Sequence, residues 1–194
     1  MLHNAHNIQR HRSPYRQRDA LMDLFNATLS PKTVCSAPPQ RCTLSTIPRD
    51  RRRLEVFLEN HRPEKAQKRL ACTFACDNTA GPSLYLDAEI RRMPAPYTGP
   101  RYLYRVTAGA LSKHPMALVN IIDRCLSDND LGRAVKLAQE YWSSSETWRF
   151  HEYICHDVLI VEDLSGSRPD SMQMYLSWEA YKADIAKGKA LFSI

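Results

Sequence analysis

Five side chains with ionisable groups, His151, Glu152, Cys155, His156 and Asp157, crowd the head of the stretch RFHEYICHDVLIVEDL, residues 149–164. A carboxylate such as Glu152, where an apolar strand emerges into a cleft, can hold a substrate hydroxyl or stabilise developing positive charge. Without that cleft, the same residue is an ordinary solvent-exposed glutamate at a strand end. His151 and His156 fall on opposite faces of a strand, so with Cys155 between them a metal site would need distant ligands. Cys72 and Cys76 have three residues between them and no second close pair to complete a zinc site. The six cysteines (35, 42, 72, 76, 125 and 155) therefore read as reduced, partly buried thiols, and nothing in their spacing demands an oxidising compartment. No G-x-G-x-x-G follows a strand, and neither a P-loop nor a G-x-S-x-G elbow is present.

The elements that must position these groups alternate irregularly. The run from Val158 to Val161 reads as a buried strand that continues from the ionisable head. RQRDALMDLFNATL places Ala20, Leu21, Leu24, Phe25 and Thr28 on one helical face and ends before Pro31. RDRRRLEVFLENH is a helix with Leu54, Phe57 and Leu58 inward. RCTLSTI, RLACTFACD and RYLYRVTA are strands, and NTAGPSLYLDAEI is a helix with Pro82 in its first turn. Two further helices follow, from Pro115 and from an Asp/Asn-rich cap, and WEAYKADIAKGKAL closes the chain as another. The order implies an α+β fold, a small sheet with helices packed around it.

The chain of 194 residues carries a formal charge of +6, unevenly placed. Residues 1–70 hold 14 Lys/Arg against 6 Asp/Glu, and residues 71–194 hold 13 against 15. Residues 1–40 read as a basic, partly disordered extension with one short helix, and residues 41–194 as the folded domain. Such a basic block can attract nucleic acid, acidic lipid or an acidic protein. Only Tyr15 is interleaved with its arginines, so a base-stacking platform is not supported. No apolar run reaches the ~18 residues of a membrane span, and no secretory h-region is evident. The Arg-rich, acid-poor start suits a transit peptide or the address of a secreted effector.

HEYICHDVLIVEDL resembles the catalytic strand of the ADP-ribosyltransferase superfamily, through Glu152-Tyr153-Ile154 followed by Asp157. LACTFACDNTAGPSLYL is similar to an upstream element of that superfamily, a strand ending in Phe-Ala that turns into a helix carrying an aromatic. Phe74, Ala75 and Tyr85 occupy those places. The resemblance, covering about residues 41–164, implies a split mixed or antiparallel sheet with surrounding helices. It further implies NAD as co-substrate, nicotinamide release and transfer of ADP-ribose to an acceptor protein. Glu152 would hold the nicotinamide-ribose hydroxyl and Tyr85 would stack on nicotinamide. Arg69 would reach the diphosphate, and Thr73 and Phe74 would line the site.

Thr73 stands where the polymerase-type pattern has an aromatic, and the first-strand His-Gly is missing. QRCTLST falls near the place of that strand, which gives Arg41 the arginine role of toxin-type members. His3, His6 and His11 replace it if the N-terminal segment folds back. With the basic leader, the resemblance suggests a bacterial toxin or effector, made in the cytoplasm and then secreted or delivered to act on a host or competitor protein. Membrane insertion is not expected. The alternative is a degenerate transferase-like scaffold that binds protein or nucleic acid.

Overall fold

The computed structural model describes residues 23–29, 31–32, 47, 49–91, 93–143, 147–167 and 169–192. Within them the fold is α+β, with two antiparallel three-stranded sheets and five α-helices. In chain order these are β1 (Leu24–Thr28), α1 (Arg49–Asn60), a 3-10 turn (Arg69–Ala71), β2 (Thr73–Ala75), α2 (Ala80–Arg91), β3 (Tyr102–Thr107) and β4 (Ala110–Pro115). Then come α3 (Met116–Ser127), α4 (Leu131–Ser143), β5 (His151–His156), β6 (Leu159–Asp163) and α5 (Ser171–Ala190). One sheet has the order β1-β3-β6 and the other β2-β5-β4. They meet at a single bridge, where Phe25 N–H donates to Cys76 O at 2.8 Å and Cys76 N–H to Phe25 O at 2.9 Å. Beside it the Asn26 side-chain amide donates to Phe74 O at 2.7 Å, while β1 and β2 otherwise belong to separate sheets.

Strand β5 faces two cores with the two-residue period of a strand. Ile154 points into a helical core with Leu54 and Leu58 of α1, Leu118 and Ile122 of α3, and Leu137 and Tyr141 of α4. Tyr153 and Cys155 point the other way, into a core with Leu24, Tyr104, Val106 and Ile160 between the sheets. The expectation of a single strand from ionisable head to apolar tail is corrected. At Asp157, φ is 51° and the chain turns out of one sheet into the other; a short polar residue tolerates that left-handed conformation. The ionisable head is the central, buried strand, whereas the apolar tail is the edge strand β6, with Leu159 and Val161 exposed.

The helix expected through Leu24, Phe25 and Thr28 is also corrected, because residues 24–28 form β1. Its backbone pairs with β3 in the register Leu24↔Val106 to Thr28↔Tyr102, and sheet pairing overrides a short helical pattern. Residues assigned to the N-terminal extension are thereby integral to a sheet of the body. β4 was not anticipated: ALSKHP lacks β-branched residues and is a strand because β5 pairs with all of it, Ala110↔His156 to Pro115↔His151. RLACTFACD is half 3-10 turn and half strand. The helices over 49–60, 80–91, 116–127 and 131–143 lie where the periodicity puts them. The last helix starts earlier, at Ser171, because Asp170 caps it by accepting from Met172 N–H at 3.0 Å.

Helix α5 lies against α3 at Gly188. A Cβ there would overlap Ile121 Cδ1 and meet Leu118 Cδ2 at 3.3 Å and Trp148 at 3.5 Å. Overpacking costs about 1–3 kcal/mol, whereas alanine in place of helical glycine returns only about 1 kcal/mol. Gly188→Ala is therefore expected to lower the urea midpoint with an unchanged m-value. A midpoint at or above wild type would show that α5 can slide off α3.

Candidate functional site

Glu152 is held at the start of β5 from three sides. Behind it, buried Asp184 of α5 accepts from Arg149 N–H at 2.9 Å and Phe150 N–H at 2.8 Å, which fixes the chain entering the strand. Beside it, β4 pairs His114 with Glu152. Across from it, the Arg69 guanidinium donates through Nη1 to Glu152 Oε1, to which Tyr141 Oη also donates at 2.8 Å. Arg69 is committed elsewhere too, with Nε to Glu55 Oε2 at 2.7 Å, Nη2 to Glu55 Oε1 at 3.3 Å and Nη1 to Tyr141 Oη at 2.5 Å. Its guanidinium also lies over the Phe74 ring, 4.5 Å from the centroid.

The network is dry: Arg69 is 3% exposed, Glu152 4% and Glu55 7%. Burial is the largest single influence on Arg69 and acts to lower its pKa. The summed attraction of Glu152, Tyr141 and Glu55 more than offsets it, so the guanidinium is held well above its ordinary value. Burial likewise pushes the Tyr141 phenol up, so it remains a proton donor toward Glu152. Two carboxylates share one guanidinium, which leaves the cluster short of positive charge. Both donors converge on Glu152 Oε1, and Oε2 has no hydrogen-bond partner among the described residues. One oxygen is an anchor and the other is presented.

His114 completes the surround as a neutral ring. Its Nδ1 faces Tyr141 O at 3.0 Å, a carbonyl that can only accept, so Nδ1 carries the hydrogen and Nε2 accepts from Ser112 Oγ at 2.9 Å. Burial lowers the pKa of His114 and of His151 below their ordinary value of 6.5. In the unfolded chain these rings take up protons as pH falls through that value, and in the folded chain they resist. Stability is thus full above about pH 6.5 and is lost as pH falls toward the depressed folded values. The urea midpoint is expected to drop between pH 7.5 and 5.5, and less steeply in His114→Gln. A midpoint flat across that window would contradict the neutral burial of these rings.

Two cavities meet at Glu152. One, of about 270 Å³, is lined by Asn26 and Thr28 of β1, Lys32, Thr73 and Phe74 of β2, Tyr85 and Glu89 of α2, and Glu152. The other, of about 70 Å³, is lined by Arg51, Arg69, Tyr85, Arg91, Phe150, Glu152, Trp178 and Tyr181. Tyr85 and Glu152 wall both. Asn78 Oδ1 accepts from Gly81 N–H at 2.8 Å and caps α2, the helix that presents Tyr85. The first turn of α2 presses onto Cys76, since a Cβ at Gly81 would lie 2.7 Å from its Sγ. Burial, then Glu89, pushes the Tyr85 phenol up, so it stays protonated.

Of the residues singled out from the sequence, Thr73, Phe74, Tyr85 and Glu152 come together around the larger cavity. Arg69 is buried as the partner of Glu152 and Glu55, and it lines the smaller cavity rather than the larger one. Arg41, its RCTLST strand, and His3, His6 and His11 lie outside the described residues. Glu55, Tyr141 and Asp184 were missed; each sits in a helical pattern, and only the helical Glu55 and Tyr141 converging on one strand end reveals them. Burial pushes the Cys155 thiol up to about 12 and the Cys76 thiol up as well, so both stay protonated. No group of three or more metal-ligating side chains occurs among the described residues, and no helix there is long and apolar enough to cross a membrane.

Together these features define an α+β protein with two small antiparallel sheets and a buried carboxylate lining two cavities. Comparison with family models, curated proteins and solved structures found no match.

Proposed function

We propose that the protein is an NAD-dependent ADP-ribosyltransferase whose essential carboxylate is Glu152. The observation that carries this reading is the larger cavity. It is walled by four of the six residues that the ADP-ribosyltransferase resemblance implies for the site: Thr73, Phe74, Tyr85 and Glu152. The split between the β1 and β2 sheets supports it as well, since the resemblance implies a split sheet.

In this reading the nicotinamide end of NAD occupies the larger cavity, with nicotinamide against Tyr85 and a ribose hydroxyl on Glu152 Oε2. The bond between the ribose carbon and nicotinamide breaks with its electron pair leaving on the ring nitrogen, which becomes neutral. Positive charge then develops on the ribose. An ionised carboxylate binds that charge better in the transition state than in the ground state, so it accelerates the step rather than merely binding substrate. A lone pair from the acceptor closes on the ribose carbon, and the acceptor's proton passes to solvent. The acceptor is a protein, and the basic N-terminal third supports an effector role.

One observation favours a second reading. Glu152 is already ion-paired with Arg69, as it would be in a transferase-like scaffold that uses the pair only to hold its fold and binds protein or nucleic acid. Incubation with NAD separates the two. Nicotinamide release is expected from the transferase, whereas a folded protein that neither binds NAD nor releases nicotinamide is the scaffold.

A further inference from the structure

The smaller cavity has a composition the reaction at Glu152 does not explain. Three arginines, Arg51, Arg69 and Arg91, line it against a single carboxylate, Glu152. Arg69 is committed to Glu152 and Glu55, which leaves Arg51 and Arg91 as the other cations of the lining. Arg91 has no ion-pair partner among the described residues. Arg51 is held loosely, 3.5 Å from Asn120 Oδ1 and 3.9 Å from Asp123. Beside these cations stands an aromatic wall. Trp178 and Tyr181 stack with centroids 5.7 Å apart, and Phe150 meets Tyr181 edge-on at 5.7 Å. Tyr181 is fixed from behind by the Asn120 amide, which donates to its hydroxyl. Trp178 is left 43% exposed at the rim, whereas Trp142 and Trp148, at 6% and 3%, are core.

An aromatic wall beside one unpaired and one loosely held guanidinium suits a ligand that is a planar ring and an anion at once. The ring stacks on the indole and the phosphate takes the arginine forks. We propose that the mouth of this cavity is a nucleotide subsite, with the base stacked outside on Trp178 at the rim and Arg51 and Arg91 as the phosphate donors. The proposal deepens the transferase reading and rests on it for the neighbouring role of Glu152. The nucleotide comes from one of two sources: the adenylate half of NAD itself, or a separate nucleotide that serves as acceptor.

Trp178 is the one tryptophan of the chain's three that is not buried, so the site reports on itself. Titration of the full chain with AMP at constant ionic strength is expected to change tryptophan emission saturably. In calorimetry, Trp178→Leu and Arg91→Gln are each expected to weaken AMP binding about ten-fold. Both residues are exposed, so neither change threatens the fold. If AMP also raises the KM for NAD in nicotinamide release, the subsite holds the adenylate of NAD. AMP binding that leaves this KM unchanged identifies a separate nucleotide. The proposal is overturned if AMP produces no saturable change in emission, or if Trp178→Leu binds AMP with wild-type affinity. Absent nicotinamide release with AMP binding intact would defeat the transferase reading and leave the subsite standing.

Discussion

Arg69→Met is expected to destabilise the protein by about 3–5 kcal/mol, the cost of breaking a buried ion pair from one side. The change removes the cation shared by Glu55 and Glu152 in a dry cluster and leaves both carboxylates without an ion-pair partner among the described residues. It also removes the donor to the Tyr141 hydroxyl, which keeps its own bond to Glu152, and the cation over Phe74. An ordinary domain has about 5–15 kcal/mol of stability in total, so the loss is a large share of it. Arg69→Lys keeps the charge but not the fork that reaches Glu55 through Nε and Nη2 while Nη1 reaches Glu152, and should fall between wild type and methionine. Urea unfolding of the three proteins at pH 7.5 measures the order. A methionine variant within about 1 kcal/mol of wild type would show that the carboxylates simply protonate or reach water, and that the cluster is not what holds β5.

Glu152→Gln is expected to behave in the opposite way, losing chemistry while keeping the fold. Glutamine retains an oxygen to accept from Arg69 and Tyr141, and Arg69 keeps its full pairing with Glu55. The cluster then holds one carboxylate per guanidinium instead of two, so its thermal midpoint should equal or exceed that of wild type. Stabilisation on removing a functional charge is a recurring sign that the charge was retained for activity. Nicotinamide release should fall by at least about 100-fold, the scale of losing one electrostatic stabiliser of a transition state. The NAD dissociation constant should change far less, because glutamine can still hydrogen-bond the ribose hydroxyl, whereas the ribose charge develops only as the bond breaks. Turnover that survives in a folded, NAD-binding Glu152→Gln protein would remove Glu152 from the reaction.

The reversed roles of the two halves of RFHEYICHDVLIVEDL show where sequence reading stopped. Hydrophobicity marked 158–161 as the buried strand, yet β6 is an edge and β5, with two histidines and a glutamate, is central. Polar side chains are placed in a core when partners wait for them, and those partners come from elsewhere in the chain. Glu55 and Arg69 are 97 and 83 residues before Glu152, and His114 is 38 before it. No local window contains that information. β1 shows the same limit for the backbone: five residues with a helical pattern became a strand because β3 and Cys76 offered their hydrogen bonds.

The sequence by itself determined the α+β class, the helices whose apolar stripes are long enough to be unambiguous, and Glu152 as the residue to watch. It also brought forward Thr73, Phe74 and Tyr85, because strand, turn and helix are consecutive and local geometry carries their spacing. Only the tertiary structure decided that Arg69 is a buried partner of Glu152, that Glu152 presents one oxygen and anchors the other, and that two cavities meet there. Those are facts of charge, distance and exclusion of water between segments far apart in sequence. They come into being only when α1, α4 and the 3-10 turn close over the start of β5.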